Sequence, residues 1–201
     1  MRRRLDVEML RRKLADSRIA AQALIAAGQV LVGGSVAVKP ARLVAAGEPI
    51  ELVGPPPRFV SRGGDKLDAA LDRFGIDVAG RRAVDAGAST GGFSDCLLQR
   101  GALSVVALDV GHGQLHERLR ADARVEVVER TNVRDVSAQA IGGPFDMVTA
   151  DLSFISLRTV MGDLLALLGA HGDAIWLAKP QFEAGRVEAS RGEGVIRDPD
   201  V

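Results

Sequence analysis

A glycine-rich segment that follows a short apolar run provides the clearest chemical signal in the sequence. It runs Val84-Asp85-Ala86-Gly87-Ala88-Ser89-Thr90-Gly91-Gly92-Phe93. Glycine lacks a Cβ, so the backbone here can approach a ligand closely. The spacing is neither that of the dinucleotide fingerprint nor that of a P-loop. The acidic residue ahead of the loop favours a ligand with a cationic group, such as S-adenosylmethionine with its sulfonium and amino groups. A purely structural tight turn is the alternative.

The ends of the next two apolar runs carry further polar residues. A carboxylate at Asp109 can accept both hydroxyls of an adenosine ribose, although an aspartate there could also be an ordinary helix cap. The segment around Asn132 could flank an adenine ring, but asparagine after a strand is common in turns. The predicted cofactor site therefore comprises Asp85, Gly87, Ala88, Ser89, Thr90, Gly91, Gly92, Phe93, Asp109, Val110, Asn132, Val133 and Asp151.

Two lysines and an aspartate form a second candidate set. Asp151 and Lys179 each follow an apolar run, and Lys66 lies near the start of a predicted helix. A lysine beside apolar residues is costly unless it is paired. Lys179 is therefore a candidate base toward a hydroxyl, and a structural ion pair with Asp151 is the alternative.

The elements that position these residues alternate between strand and helix. The predicted strands are Ala83–Ala86, Ser104–Asp109, Val125–Val128, Phe145–Asp151 and Ala174–Ala178. Continuous apolar strands that alternate with helices are typical of a parallel sheet covered on both faces. Ligands bind such sheets at the carboxyl ends of the strands, where the glycine loop and the charged residues are expected to meet.

The part of the chain before the proline run at 54–57 has a different pattern. We predict a helix capped by Asp6, a second helix capped by Ser17, a hairpin around Gly33-Gly34 and a further short strand at 49–53. Residues 1–66 contain 12 Arg or Lys and 6 Asp or Glu, a net charge of +6, whereas the remainder contains 14 and 20, a net of −6. This imbalance favours a polyanion partner, although a solvated charged surface would look the same. The predicted RNA-binding residues are Arg3, Arg4, Arg11, Arg12 and Arg18.

Several of these motifs together resemble the TlyA family, often labelled hemolysin A. They are Asp85–Phe93, Ala150–Ser156, Lys179–Glu183 and Ser61–Leu67. The resemblance implies 2′-O-methylation of cytidines in small- and large-subunit ribosomal RNA, with S-adenosylmethionine as methyl donor. It also implies a Lys-Asp-Lys-Glu catalytic set, of which Lys66, Asp151 and Lys179 occupy the first three positions.

The same resemblance implies the domain organisation. An α+β RNA-binding domain similar to part of a small-subunit ribosomal protein is expected at 1–57, an interdomain linker at 58–61, and a Rossmann-like class I methyltransferase domain at 62–201. Family members continue further, and Asp198-Pro199 is a helix start signal just before the last residue. We therefore expect a truncated domain that lacks the fourth catalytic residue and the last two strands.

Composition narrows the remaining possibilities. No apolar run reaches the roughly 18 residues that a membrane span needs, which argues against a membrane-active hemolysin. Cys96 is the only cysteine, as is usual in a reducing cytoplasm. A catalytically weak protein that binds ribosomal RNA or assists ribosome assembly, and still binds the cofactor, stays open as an alternative.

Overall fold

The computed structural model describes residues 2–54 and 57–183, which divide into two compact units. The first unit ends at Pro57 and the second begins at Arg58. The helix predicted after Asp198-Pro199 lies outside the described residues, as does the middle of the proline run. Among the described residues, no helix is both long enough and apolar enough to cross a membrane.

The first unit contains two short helices and two small antiparallel sheets. Its elements are β1 (Arg2–Arg4), α1 (Leu5–Arg11), α2 (Arg18–Ala26), β2 (Val30–Val32), β3 (Ser35–Val36), β4 (Leu43–Ala45) and β5 (Ile50–Leu52). Strand β2 pairs with both β3 and β5, and β1 pairs with β4. Ser17 caps α2 by accepting from the Ala20 N–H at 3.0 Å, as predicted. The β1–β4 pair was not predicted, because three consecutive arginines give no strand signal.

Asp6 is not the cap of the first helix, contrary to the prediction. It lies within α1, and its carboxylate is fully buried. It accepts hydrogen bonds from Arg4, Arg18 and Gln22, and the Arg4 contact does most to lower its pKa. The sequence pattern could not show this, because the cations that compensate the buried charge come from outside the helix as well as from its start.

The second unit is built on one parallel sheet. Its elements are α3 (Arg62–Phe74), β6 (Arg82–Ala86), α4 (Gly92–Gln99), β7 (Ser104–Leu108), α5 (Glu117–Arg120), β8 (Val125–Val128), β9 (Phe145–Ala150), α6 (Leu157–Ala166), β10 (Leu168–Trp176) and α7 (Pro180–Glu183). The strand order is β10-β9-β6-β7-β8, and every neighbouring pair is parallel. The predicted parallel α/β architecture is therefore confirmed. Strand β10 begins earlier than predicted, and its pairing with β9 is irregular between Leu168 and Asp173.

Helices cover both faces of this sheet. One buried apolar cluster joins the sheet to α3, α4 and α5 and includes Leu67, Leu97 and Leu119. The other joins it to α6 and includes Leu164 and Phe145. The sheet is thus fixed from both sides, which makes its carboxyl edge a rigid support for a site.

Residues 58–61 pack as part of the second unit and do not form a free linker. Phe59 is only 3% exposed and belongs to the core shared with α3 and α4. The Val60 N–H donates to Asp95 at 2.9 Å. A Cβ on Gly64 would lie 2.3 Å from the Phe59 ring, so the glycine allows this close contact. The segment predicted as the interdomain linker is therefore anchored to the second unit through Phe59 and Val60.

Candidate active site and cofactor pocket

The carboxyl ends of the central strands are joined by backbone hydrogen bonds. The N–H groups of Gly87 and Ala88 donate to the carbonyl of Leu108, at the end of β7. The Asp151 N–H donates to Ala86 at the end of β6, and Leu177 donates to Ala150 at the end of β9. The glycine loop and the residues that follow β7, β9 and β10 therefore lie on one edge of the sheet, as the sequence predicted.

The glycine loop runs from the end of β6 to the start of α4 in a conformation that depends on glycine. Gly87 has φ of +81° and Gly91 has φ of +94°, both in the left-handed region. A Cβ on Gly91 would lie 2.2 Å from Leu119 Cδ1, and one on Gly87 would lie 3.1 Å from the carbonyl oxygen of Asp151. The loop thus lies directly against α5 and the end of β9.

The start of α3 packs closely against the start of α4, and this contact places Lys66. A Cβ on Gly92 would lie 3.0 Å from the Gly64 nitrogen, and one on Gly63 would lie 3.5 Å from the Phe93 ring. Helix α3 begins at Arg62, so Lys66 lies just past its first turn. Gly63, Gly64 and Gly92 therefore allow α3 to pack against α4, and this packing places Lys66 near the glycine loop.

The Asp85 side chain points into the protein and not toward a ligand. It is fully buried, and it accepts hydrogen bonds from the Ser94 N–H at 2.9 Å and the Ser94 hydroxyl at 2.7 Å. Thr149 on β9 donates to its other oxygen at 3.2 Å. Burial raises the pKa of Asp85 to about 6, against the opposing effect of these hydrogen bonds. Asp85 thus anchors the first turn of α4, which the interpretation as a partner for a cationic ligand did not foresee.

A small pocket lies beside Asp109 at the end of β7. The Asp109 carboxylate accepts the N–H of Ser89 at 2.7 Å and that of Gly111 at 2.6 Å, so it connects the two loops that border the pocket. The residues that line the pocket are Ala88, Ser89, Ala107, Asp109, Gly111, Gln114, Leu115, Val127 and Glu129. The lining combines apolar side chains, which can contact a flat base, with carboxylates, which can accept from ribose hydroxyls.

Glu129 is a pocket residue that the sequence analysis missed. Its side chain is 14% exposed and accepts from the Gly113 N–H at 3.0 Å. It also pairs with Arg120 and with the His112 ring, and the Arg120 contact does most to lower its pKa. The signal was available, because Glu129 follows β8 directly, just as Asp109 follows β7.

Other predicted cofactor residues lie outside the lining of this pocket. Asn132 caps a 3₁₀ turn by accepting from the Arg134 N–H at 3.1 Å, which is the turn role that the sequence left open. Val133 is buried in the cluster beneath α6, and Phe93 is buried on α4. Val110 is 68% exposed. The backbone carbonyl of Thr90 accepts from the His116 N–H, and this hydrogen bond helps to shape the glycine loop.

The three predicted catalytic residues meet at the carboxyl edge of the sheet. Lys179 Nζ lies 2.6 Å from Asp151 Oδ1 and donates to the Ser153 hydroxyl at 2.9 Å. Lys66 Nζ lies 3.9 Å from Asp151 Oδ2. The side chains of Lys179 and Asp151 are 18% and 23% exposed, and that of Lys66 is 54% exposed. One carboxylate therefore holds two ammonium groups where an incoming substrate can reach them.

The five arginines predicted to bind RNA surround two buried carboxylates of the first unit. Arg3, Arg11 and Arg12 pair with Glu8, and Arg4 and Arg18 pair with Asp6. The arginine contacts lower the pKa of Glu8 to about 2. Arg12 differs from the others because it also donates to the carbonyls of Ala46 and Glu48 and is only 21% exposed. Its main contacts are therefore structural, while the other four guanidinium groups are more exposed.

Comparison with protein families separates the chain into the same two parts. Residues 59–200 match the FtsJ-like methyltransferase family, and residues 3–50 match the S4 domain. The first match extends over most of the chain and contains the glycine loop, the pocket and the Lys-Asp-Lys cluster.

Two named relatives and one solved structure match nearly the whole length of this chain. The 16S/23S rRNA (cytidine-2′-O)-methyltransferase TlyA of Mycobacterium tuberculosis is 52% identical over 201 residues, which is all of this chain and 75% of that protein. Hemolysin A of Brachyspira hyodysenteriae is 40% identical over 97% of this chain and 81% of its own length. A solved Streptococcus thermophilus protein assigned as a hemolysin is 38% identical, with a TM-score of 0.74 over 98% of this chain and 72% of that one. The chain belongs to the TlyA family of FtsJ-like methyltransferases.

Proposed function

We propose that this protein transfers a methyl group from S-adenosylmethionine to the ribose 2′-hydroxyl of cytidines in small- and large-subunit ribosomal RNA. The observation that carries the proposal is the Lys66–Asp151–Lys179 cluster on the same edge of the sheet as the glycine loop and Asp109. The name of the M. tuberculosis relative supports the choice of nucleotide and of the hydroxyl.

We assign the cofactor's nucleoside to the surface around the small pocket beside Asp109, on the chemistry of its lining. Asp109 and Glu129 provide carboxylate oxygens toward ribose or adenine donors, and Ala107, Leu115 and Val127 provide an apolar surface for the ring. The glycines at 87 and 91 let the loop beside this pocket pack closely against α5 and the end of β9. When bound, S-adenosylmethionine supplies an electrophilic methyl group on a sulfonium.

Lys179 is the residue that we assign to the acceptor hydroxyl. It is the less exposed of the two lysines, and its amine is held by Asp151 and Ser153. For this step Lys179 must be the neutral amine, which accepts the 2′-hydroxyl proton and becomes an ammonium group beside Asp151. Asp151 fixes the amine, and Lys66 adds positive charge on the other side of the carboxylate. Holding the two substrates in line on a rigid sheet edge supplies much of the rate acceleration.

We assign RNA binding to the first unit. The match to the S4 domain supports this assignment. So does the charge of residues 1–57, which contain 9 Arg or Lys and 5 Asp or Glu, a net of +4. Arg3, Arg4, Arg11 and Arg18 are the side chains that we expect to contact phosphates, because they are more exposed than Arg12. The corresponding division is an RNA-binding domain at 1–57 and a methyltransferase domain that includes residues 58–61.

The test is transfer of labelled methyl groups from S-adenosylmethionine to ribosomal subunits, with the product mapped by its resistance to alkaline cleavage. Lys179→Arg is the informative variant, because arginine keeps the charge beside Asp151 but cannot give up a proton near neutral pH. We expect wild-type transfer to cytidine 2′-oxygens and loss of transfer in the variant. Full activity of the Lys179→Arg variant would show that Lys179 and Asp151 form a structural ion pair and that Lys179 is not the base. Cofactor binding without transfer by the wild type would favour the RNA-binding or assembly alternative.

A further inference from the structure

Two segments at the carboxyl edge of the sheet contact each other at successive points. One follows β9 and spans residues 151–157, and the other spans residues 179–183 and includes α7. Lys179 contacts both Asp151 and Ser153. Further along, the rings of Phe154 and Phe182 have centroids 5.5 Å apart. The last contact in the series is made by Glu183, which is not part of the cluster of Lys66, Asp151 and Lys179.

Glu183 makes two short hydrogen bonds to the start of α6. Its Oε2 accepts from the Ser156 hydroxyl at 2.6 Å, and its Oε1 accepts from the Leu157 N–H at 2.7 Å. The first N–H groups of a helix have no partner within the helix, and a carboxylate there is favoured by the helix dipole. The Ser156 contact, with the Leu157 N–H, lowers the pKa of Glu183. The carboxylate is therefore ionised near neutral pH and well suited to this position.

Glu183 contacts a segment that leads into a helix packed against the core, whereas Lys179 lies beyond the end of β10, two positions after Leu177, whose N–H donates to the Ala150 carbonyl. Helix α6 is anchored by Val160 and Leu164, both fully buried. Strand β10 ends at Trp176, three positions before Lys179. The two segments also meet through Lys179, which contacts Asp151 and Ser153, and through Phe154, which is 92% exposed.

We propose that Glu183 is a positioning residue, which ties the segment of Lys179 to the start of α6 and so sets the Lys179 amine against Asp151. This inference rests on the proposed role of Lys179 in methyl transfer. Glu183 itself does not touch the reacting atoms in this account. Loss of the tie should displace the amine, and displacements on the order of 1 Å can lower a rate by about 100-fold.

The experiment compares Glu183→Ala with Glu183→Gln in the full chain. Glutamine keeps a carbonyl oxygen for the Leu157 N–H and an amide that can bond to Ser156, whereas alanine removes both contacts. We expect Glu183→Ala to lower kcat about 10- to 100-fold with little change in KM for S-adenosylmethionine, and Glu183→Gln to restore most of the loss. Ser156→Ala combined with Glu183→Ala should cost less than the sum of the two single variants, because both remove the Ser156–Glu183 hydrogen bond, while each also removes one contact of its own to a backbone N–H of α6.

A second readout does not require methyl transfer. Amine-reactive acetylation, quantified by peptide mass spectrometry, should modify Lys179 faster in Glu183→Ala than in wild type, with the exposed Lys39 of the first unit as internal reference. Unchanged labelling of Lys179, or a loss of kcat that Glu183→Gln does not restore, would overturn the positioning role. If wild type transfers no methyl group to ribosomal RNA, the proposed function fails, whereas the labelling result still decides whether Glu183 holds Lys179 in place.

Discussion

Replacing the buried Asp85 with asparagine should change how the stability of the second unit depends on pH. The pKa of Asp85 rises from 3.8 to about 6 on burial, so the folded protein binds this proton more tightly than the unfolded chain. The contribution of Asp85 to the free energy of unfolding is therefore largest below pH 3.8 and is lost as the pH rises through about 6. The rise in pKa corresponds to about 3 kcal/mol as an order of magnitude.

Asparagine has nearly the same shape and can keep most of the contacts. Its carbonyl oxygen can accept from the Ser94 N–H and hydroxyl, and its amide can donate to the Thr149 hydroxyl. Since the amide does not titrate, the Asp85→Asn variant should not show the loss of stability that the wild type shows as the pH rises. The free energy of unfolding of the wild type minus that of the variant should therefore fall by about 3 kcal/mol between about pH 4 and about pH 7.

The assay is urea unfolding followed by tryptophan fluorescence. Trp176 is the only tryptophan and lies in β10, so its emission reports on the second unit and not on the first. Other carboxylates titrate equally in both proteins and cancel in the difference. A difference that does not vary with pH would refute the argument, because it would mean that the hydrogen bonds from Ser94 and Thr149 fully offset the effect of burial.

The same variant tests whether the Asp85 charge serves the cofactor. The carboxylate is fully buried, so calorimetry should show S-adenosylmethionine affinity within a few-fold of wild type. A loss of more than about tenfold, or about 1.4 kcal/mol, would restore the interpretation of Asp85 as a partner of the cationic ligand.

Four further substitutions test the glycine loop, the pocket and the first unit. Gly91→Ala introduces both a left-handed alanine and a contact with a neighbouring leucine, and we expect a loss of stability of about 1–3 kcal/mol and weaker cofactor binding. Gly80→Ala has a similar φ but open space, so thermal unfolding of this control isolates the backbone cost. Asp109→Ala should weaken S-adenosylmethionine binding in calorimetry, and unchanged affinity would exclude the assignment to ribose. Arg11→Ala should weaken RNA binding and flatten its dependence on salt, because a phosphate contact is lost. Arg12→Ala should instead lower the unfolding temperature of the first unit, because the Arg12 guanidinium binds backbone carbonyls. Filter binding and melting experiments check both variants. Weaker RNA binding only in Arg12→Ala and a lower unfolding temperature only in Arg11→Ala would contradict both assignments.

The sequence by itself determined the parallel sheet and which residues lie at the carboxyl ends of its strands. Continuous apolar strands that alternate with helices leave few other arrangements, and the carboxyl ends of parallel strands meet on one side. Lys179 and Asp151 each follow such a strand, so their meeting could be predicted from position along the chain. The turn at Gly87 and Gly91 was likewise predictable, because these backbone conformations favour glycine.

Only the tertiary structure decided which way the side chains near these ends point. Asp85 turns inward because Ser94 and Thr149 provide donors from α4 and β9, and neither partner is indicated by the local pattern. Phe59, in the segment predicted as the interdomain linker, is buried because Gly64 on α3 makes room for its ring. Position in sequence identifies the strand end at which a residue lies, whereas the direction of a loop side chain depends on the distant partners that can satisfy its charge or cover its apolar surface.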